Sequence, residues 1–81
     1  MRLPRDLSGP QLAQLLRRHG YETTRQTGSH LRLTSRIKVS EHHITIPSHD
    51  TLKVGTLSPI LADVAAYLEI DRAALIKDLF P

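Results

Sequence analysis

His30 and its neighbours form the part of this 81-residue chain that is best suited to chemistry. Thr-Gly-Ser precedes this histidine and interrupts two runs of β-tolerant residues, which predicts a hairpin turn with Gly28 at a positive φ. After the turn, Leu31 and Leu33 fall on one face of a strand by their alternation, while His30 and Arg32 fall on the other. A titratable imidazole and a fixed cation are therefore expected side by side, on a face left open to a ligand.

Length and composition restrict the class of protein. With 81 residues and no cysteine, the chain is expected to be one small domain, residues 1–81, without disulfides or a thiolate zinc site. The first seven residues contain two arginines and an aspartate but no apolar run, which argues against a signal peptide or membrane span and predicts a soluble cytoplasmic protein. The net charge of +3 fits a phosphate-rich partner without requiring one.

A capping box predicts the first helix, at about residues 9–19. Ser8 is followed at the third position by Gln11, and Pro10 is tolerated in a first turn. Gly20 is the residue expected just after the helix end. The apolar stripe of this helix consists of Leu12, Leu15 and Leu16.

Two short segments with β-branched and aromatic residues predict the outer strands. Residues 21–26 form the first, with Tyr21 inward and Arg25 able to face either side. Residues 43–47 form the return strand, with Ile44 and Ile46 inward.

The sequence does not decide where the middle strand ends. Its alternation can continue through Ile37 and Val39, but Ser35-Arg36 and Ser40-Glu41 are both possible turns. The longer strand would carry a basic stripe made of Arg32, Thr34, Arg36 and Lys38.

Apolar residues at intervals of three and four predict a second helix, with Thr56 as its N-cap and Pro59 in its first turn. Its stripe consists of Leu57, Ile60, Leu61, Val64 and Leu68. A short third helix, within residues 71–80, begins at Asp71 and is expected to close the core with Leu75, Ile76 and Leu79.

The predicted order is α-β-β-β-α plus a short C-terminal helix, an α+β fold with a three-stranded antiparallel sheet. Both main helices are expected on one face of that sheet, so the other face stays open. This is the arrangement of double-stranded-RNA-binding domains, which is an analogy of fold and not a demonstration of function.

Three ordered motifs extend this analogy. They are Arg-Gln-Thr-Gly-Ser-His at 25–30, Ile-Thr-Ile-Pro-Ser-His at 44–49, and Lys-Val-Gly-Thr-Leu at 53–57. Together they resemble the HicA (YcfA-like) toxins, the mRNA interferases of type II toxin-antitoxin pairs, over about residues 8–69. The chain departs from that pattern in a longer segment at 33–41 and in the extension beyond residue 71.

The resemblance implies a dsRBD-like endoribonuclease that cuts mRNA without a metal or other cofactor. It implies that His30 is catalytic and that a HicB-type antitoxin covers the site. The residues expected to contact RNA are Arg25, Gly28, Ser29, Arg32 and Lys53. N–H groups around Leu57, at the start of the second helix, are a further candidate for binding phosphate.

Cleavage by 2′-hydroxyl attack needs a base, an acid and positive groups around the phosphorane. His30 suits either proton transfer near neutral pH, and its counterpart remains unassigned. His42, His43 and His49 do not read as a metal cluster, because the first two should point to opposite faces and no acidic partner has a ligand-like spacing. A non-catalytic RNA-binding module and a plain interaction protein are the alternatives.

Overall fold

The chain folds in the order α-β-β-β-α-α in a computed structural model that describes residues 3–81. The three strands form one antiparallel sheet in the order β1-β2-β3, which confirms the predicted α+β arrangement. The elements are α1 (Gly9–Leu16), β1 (Tyr21–Gln26), β2 (His30–Ser35), β3 (His42–Pro47), α2 (Val54–Leu68) and α3 (Arg72–Leu79).

Helix α1 begins at the predicted capping box. The Gln11 backbone N–H donates to Ser8 Oγ at 3.1 Å, and the Ser8 N–H donates to Gln11 Oε1 at 2.9 Å. The α-helix ends earlier than predicted, because Arg17–His19 tighten into a 3₁₀ turn. Gly20 follows with φ of 83°, the left-handed conformation expected of a glycine that ends a helix.

One hydrophobic core lies between the helices and one face of the sheet. Three of the predicted stripe residues, Leu15, Ile60 and Leu68, are only partly buried against it. The buried residues from the main helices and the sheet include Leu12, Leu16, Leu31, Leu33, Ile44, Ile46, Leu57, Leu61 and Val64. Because the four sheet residues among these share one face, α1 and α2 both cover that face.

Helix α3 closes the same core, as its apolar residues predicted. Leu75, Ile76 and Leu79 are buried in the cluster. His19 Nε2 lies 2.8 Å from Asp78 Oδ2, which ties α3 to the end of the first helical segment.

Strand β2 ends at Ser35, so of the two ends that the sequence left open the shorter one is observed, and the longer strand with its basic stripe does not form. Ile37 and Val39 do not continue the apolar face, since their side chains are 56% and 110% exposed. The reason lies in α2, where the Tyr67 hydroxyl accepts the N–H of Lys38 at 3.1 Å and donates to the Ser40 carbonyl at 2.7 Å. These bonds hold the segment after β2 as a loop.

The cations of that loop are neutralised by carboxylates. Arg36 Nε pairs with Glu41, and Lys38 Nζ lies 2.8 Å from Glu69 Oε2. The hydrogen bond from Lys38 lowers the pKa of the Glu69 carboxyl below its ordinary value. Of the cations that the longer strand would have carried, Arg32 alone lies on β2.

The N-cap of α2 lies three residues before the predicted one. Lys53 is the N-cap, and its carbonyl accepts the N–H groups of Thr56 and Leu57, both at 2.9 Å. Thr56 therefore lies inside the first turn of the helix. Pro59, which was predicted to lie in the first turn, lies beyond that turn. With 15 residues α2 is the longest helix, and none in the described part of the chain is long and apolar enough to cross a membrane.

Candidate functional site

The turn before His30 is closed by Thr27. Its N–H donates to the His30 carbonyl at 2.9 Å, and its Oγ1 accepts the His30 N–H at 3.2 Å. Gly28 does not have a positive φ, so the predicted conformational reason for a glycine is wrong. A Cβ built on Gly28 meets nothing within 4 Å, and the position borders open space beside the histidine.

His30 is the first residue of β2, and its side chain is exposed. Its Nδ1 lies 3.0 Å from the hydroxyl of Ser29, a hydrogen bond that holds one ring nitrogen. The other nitrogen, Nε2, has no hydrogen-bond partner among residues 3–81 and is accessible for proton transfer.

A β-bulge decides where Arg25 lies. The register between β1 and β2 pairs Thr23 with Leu33 and then Arg25 with Arg32, so that Thr24 is the extra residue. Without that extra residue, Arg25 would pair with Leu31 and fall on the core face. The bulge therefore places Arg25 directly opposite Arg32, on the open face with His30.

The two guanidinium groups make this end of the open face electropositive. Arg25 and Arg32 are both exposed, and neither forms an ion pair with any residue that the structure describes. Like charges directly opposite on neighbouring strands are destabilising. An anion between them would remove the repulsion, and a phosphate suits the planar donor set of arginine.

Farther along the open face, hydroxyls link all three strands. Thr34 Oγ1 lies 2.9 Å from Thr24 Oγ1 and 2.8 Å from His43 Nδ1, although Thr34 itself is only 2% exposed. His43 faces Thr34 in the register, four residues along β2 from His30. That separation corresponds to about 13 Å of strand, too far for His43 to share one phosphate with His30.

His42 points to the opposite, helix-covered side, as its alternation with His43 predicted. Its Nδ1 lies 2.6 Å from the Tyr21 hydroxyl, its Nε2 lies 3.2 Å from Asp63 Oδ1, and its ring stacks on Tyr67 with centroids 4.7 Å apart. Burial, aided by the charge of Asp63, raises the pKa of Tyr21 above its usual range, so the phenol stays protonated beside His42. His42 is a structural residue.

The histidines do not assemble a metal centre. Within the described chain, no group of three or more His, Asp or Glu side chains is placed to hold a metal ion.

Within residues 3–81, neither Lys53 nor the start of α2 forms a hydrogen bond or an ion pair with the residues of this site. Lys53 is exposed at the N-cap, and its carbonyl occupies the N–H groups of Thr56 and Leu57. The Leu57 N–H is therefore bonded within the helix. Phosphate binding by the N–H groups around it, at the start of α2, stays a prediction.

In the described part of the chain, a groove lies beside α1, away from His30. Its lining consists of Asp6, Leu7, Pro10, Gln11, Gln14 and Leu15, and it includes none of the predicted site residues. We place the site on the open sheet, where the imidazole and unpaired cations are, because an extended polymer is bound along a surface as readily as in a cleft.

Sequence reasoning missed Thr24. A bulge is defined by the pairing of two strands, and Thr23-Thr24 reads locally as ordinary strand sequence. Only the partner strand shows which threonine is extra.

Comparison with known proteins identifies a family for this chain. A family model described as the HicA toxin of bacterial toxin-antitoxin matches residues 9–65, which is well over half of the chain and includes the whole sheet. Helix α3 lies outside the matched region. Neither the curated proteins nor the solved structures contain a significant match.

Proposed function

The chain belongs to the HicA toxin family of bacterial toxin-antitoxin systems, and we propose that it is an endoribonuclease that cleaves mRNA in the cytoplasm without a metal. His30 acts in acid/base catalysis. One observation carries the proposal: the free Nε2 of His30 shares an open sheet face with the unpaired, bulge-positioned pair Arg25 and Arg32.

The reaction needs only groups of the kinds found on this face. The ribose 2′-oxygen attacks the adjacent phosphorus while a base takes its proton, and an acid protonates the departing 5′-oxygen. Imidazole performs either transfer near neutral pH. Arg25 and Arg32 stabilise the negative charge that accumulates on the phosphorane oxygens.

The other predicted RNA contacts have distinct parts in this proposal. Ser29 holds His30 through Nδ1, and the open space at Gly28 admits the sugar-phosphate backbone close to the chain. Lys53 contributes a more distant phosphate contact from the start of α2.

The direct test is incubation of the purified protein with single-stranded RNA in the presence of EDTA. We expect fragments that end in a 2′,3′-cyclic phosphate and begin with a 5′-hydroxyl, since these are the products of 2′-oxygen attack. RNA that is bound but uncut would instead favour a non-catalytic RNA-binding module. Cleavage that stops in EDTA and returns with a divalent ion would contradict the metal-independent mechanism.

We also propose a HicB-type antitoxin as the protein partner, seated over the open face. A toxin must be held inactive in its own cell, and covering His30 with acidic groups that pair with Arg25 and Arg32 would do so directly. Such charge complementarity predicts association that slows as salt rises. Stopped-flow binding at several ionic strengths tests this, and a complex in which His30 remains exposed would refute it.

A further inference from the structure

The backbone register continues past the end of β3 towards His49. In the β2–β3 ladder, His30 faces Pro47. The Ser48 N–H then donates to the Ser29 carbonyl at 2.9 Å, which extends the same register by one pair. If this register is extrapolated by one further step, into the β1–β2 turn, His49 comes opposite Gly28.

The segment that carries His49 is held on both sides. The Gly9 N–H, at the start of α1, donates to the His49 carbonyl at 2.9 Å. Gly9 also packs so closely that a Cβ there would lie 2.0 Å from the Pro47 carbonyl oxygen. The backbone at His49 is thus fixed between α1 and the hairpin, although its side chain is exposed.

This register makes His49 a diagonal neighbour of His30 across the two strands. Diagonal neighbours lie about 7–8 Å apart at Cα, which leaves room for a phosphate between two imidazoles. Gly28, opposite His49, contributes no side chain to that space, and Pro47, opposite His30, contributes only its compact ring. Arg25 and Arg32 flank His30 on its other side.

From this placement we propose that His49 is the second proton-transfer residue of the site, acting with His30 on one phosphodiester. The inference rests on the proposed ribonuclease function and adds the partner that His30 lacks. One imidazole takes the proton of the 2′-hydroxyl while the 2′-oxygen forms a bond to phosphorus. The P–O5′ bond breaks, and the other imidazole gives its proton to O5′.

A sulfur substitution separates the two transfers. The unsubstituted protein is first used to map a cleaved linkage in a short RNA, and the same RNA is then made with sulfur in place of the bridging 5′-oxygen. A thiolate leaves without being protonated, so loss of the acid should matter for the ordinary linkage and not for the sulfur one. Loss of the base should matter for both.

Three alanine variants, at His30, His49 and His43, are measured on both substrates. His43 is the matched control, because it is a histidine of the same open face whose Nδ1 is bonded to Thr34 away from His30. We expect His49→Ala to slow cleavage of the ordinary RNA by about 10²- to 10⁴-fold and His43→Ala to change it by only a few-fold. The sulfur linkage should restore the rate of either His30→Ala or His49→Ala, and thereby identify the acid.

Folding and binding are checked by thermal melts and by affinity for an uncleavable 2′-O-methyl RNA, with His49→Gln as a second variant of similar size. Retention of the parental rate by His49→Ala would overturn the assignment. The assignment would also be overturned if the loss of cleavage in His49→Ala matched its loss of RNA affinity. It would be overturned as well if the sulfur linkage restored the rate of neither His30→Ala nor His49→Ala. Absence of cleavage by the unsubstituted protein would overturn the proposed function and this assignment with it.

Discussion

Replacing His30 with alanine should lower RNA cleavage by about 10²- to 10⁴-fold, the usual contribution of a positioned proton-transfer group. The fold should survive, because the side chain is exposed and forms its hydrogen bond with the neighbouring Ser29. Exposed substitutions of this kind usually change stability by less than about 0.5 kcal/mol. The rate is measured with EDTA present, alongside the melting temperature and the affinity for RNA.

Arg32→Ala is the companion variant on the same face. It should weaken RNA binding more than His30→Ala does, because phosphate contacts made by cations dominate affinity. In a plot of log affinity against log salt concentration, the slope should become less steep by about 0.7, the value for one phosphate contact on a single strand.

A folded His30→Ala protein that still cuts RNA at the parental rate would remove His30 from the mechanism.

Replacing Leu61 with alanine should destabilise the protein by about 2–5 kcal/mol. Leu61 is completely buried in α2, at the centre of the cluster that joins the helices to the sheet. Removing most of its side chain leaves a cavity that surrounding residues fill only in part. In a domain of this size each kcal/mol lowers the melting temperature by about 4–8 °C, which a circular dichroism melt resolves easily.

Val54→Ala is the control for Leu61, because it also removes aliphatic carbons from α2 but at a side chain that is 57% exposed. Its melting temperature should stay close to that of the parent. Equal losses in the two variants, or no loss at Leu61, would contradict the burial of this helix face.

One face of the sheet contributes to stability, and the other face carries the groups proposed for the chemistry. Leu31 and Leu33 of β2 are buried in the core, whereas the alternate residues of the same strand carry the imidazole of His30 and the guanidinium group of Arg32. Substitutions at His30 or Arg32 therefore test function with little effect on packing, and Leu61→Ala tests packing without touching the open face.

Local patterns in the sequence determined much of this molecule. The Ser8–Gln11 capping box and Gly20 marked where the first helical segment begins and ends, and the structure has both. The alternation after the hairpin assigned Leu31 to the core and His30 to the open face, because side chains of a strand must alternate. These features depend on residues within a few positions of one another.

The tertiary structure decided what depends on contacts between distant segments. The extra residue Thr24 places Arg25 on the same face of the sheet as His30. Only the pairing of β1 with β2 defines Thr24 as the extra residue. Tyr67, far along the chain, holds the loop that ends β2 and so decides between the two strand ends that the sequence left open. Register between strands and hydrogen bonds between elements are properties of the folded chain, so no local pattern of residues encodes them.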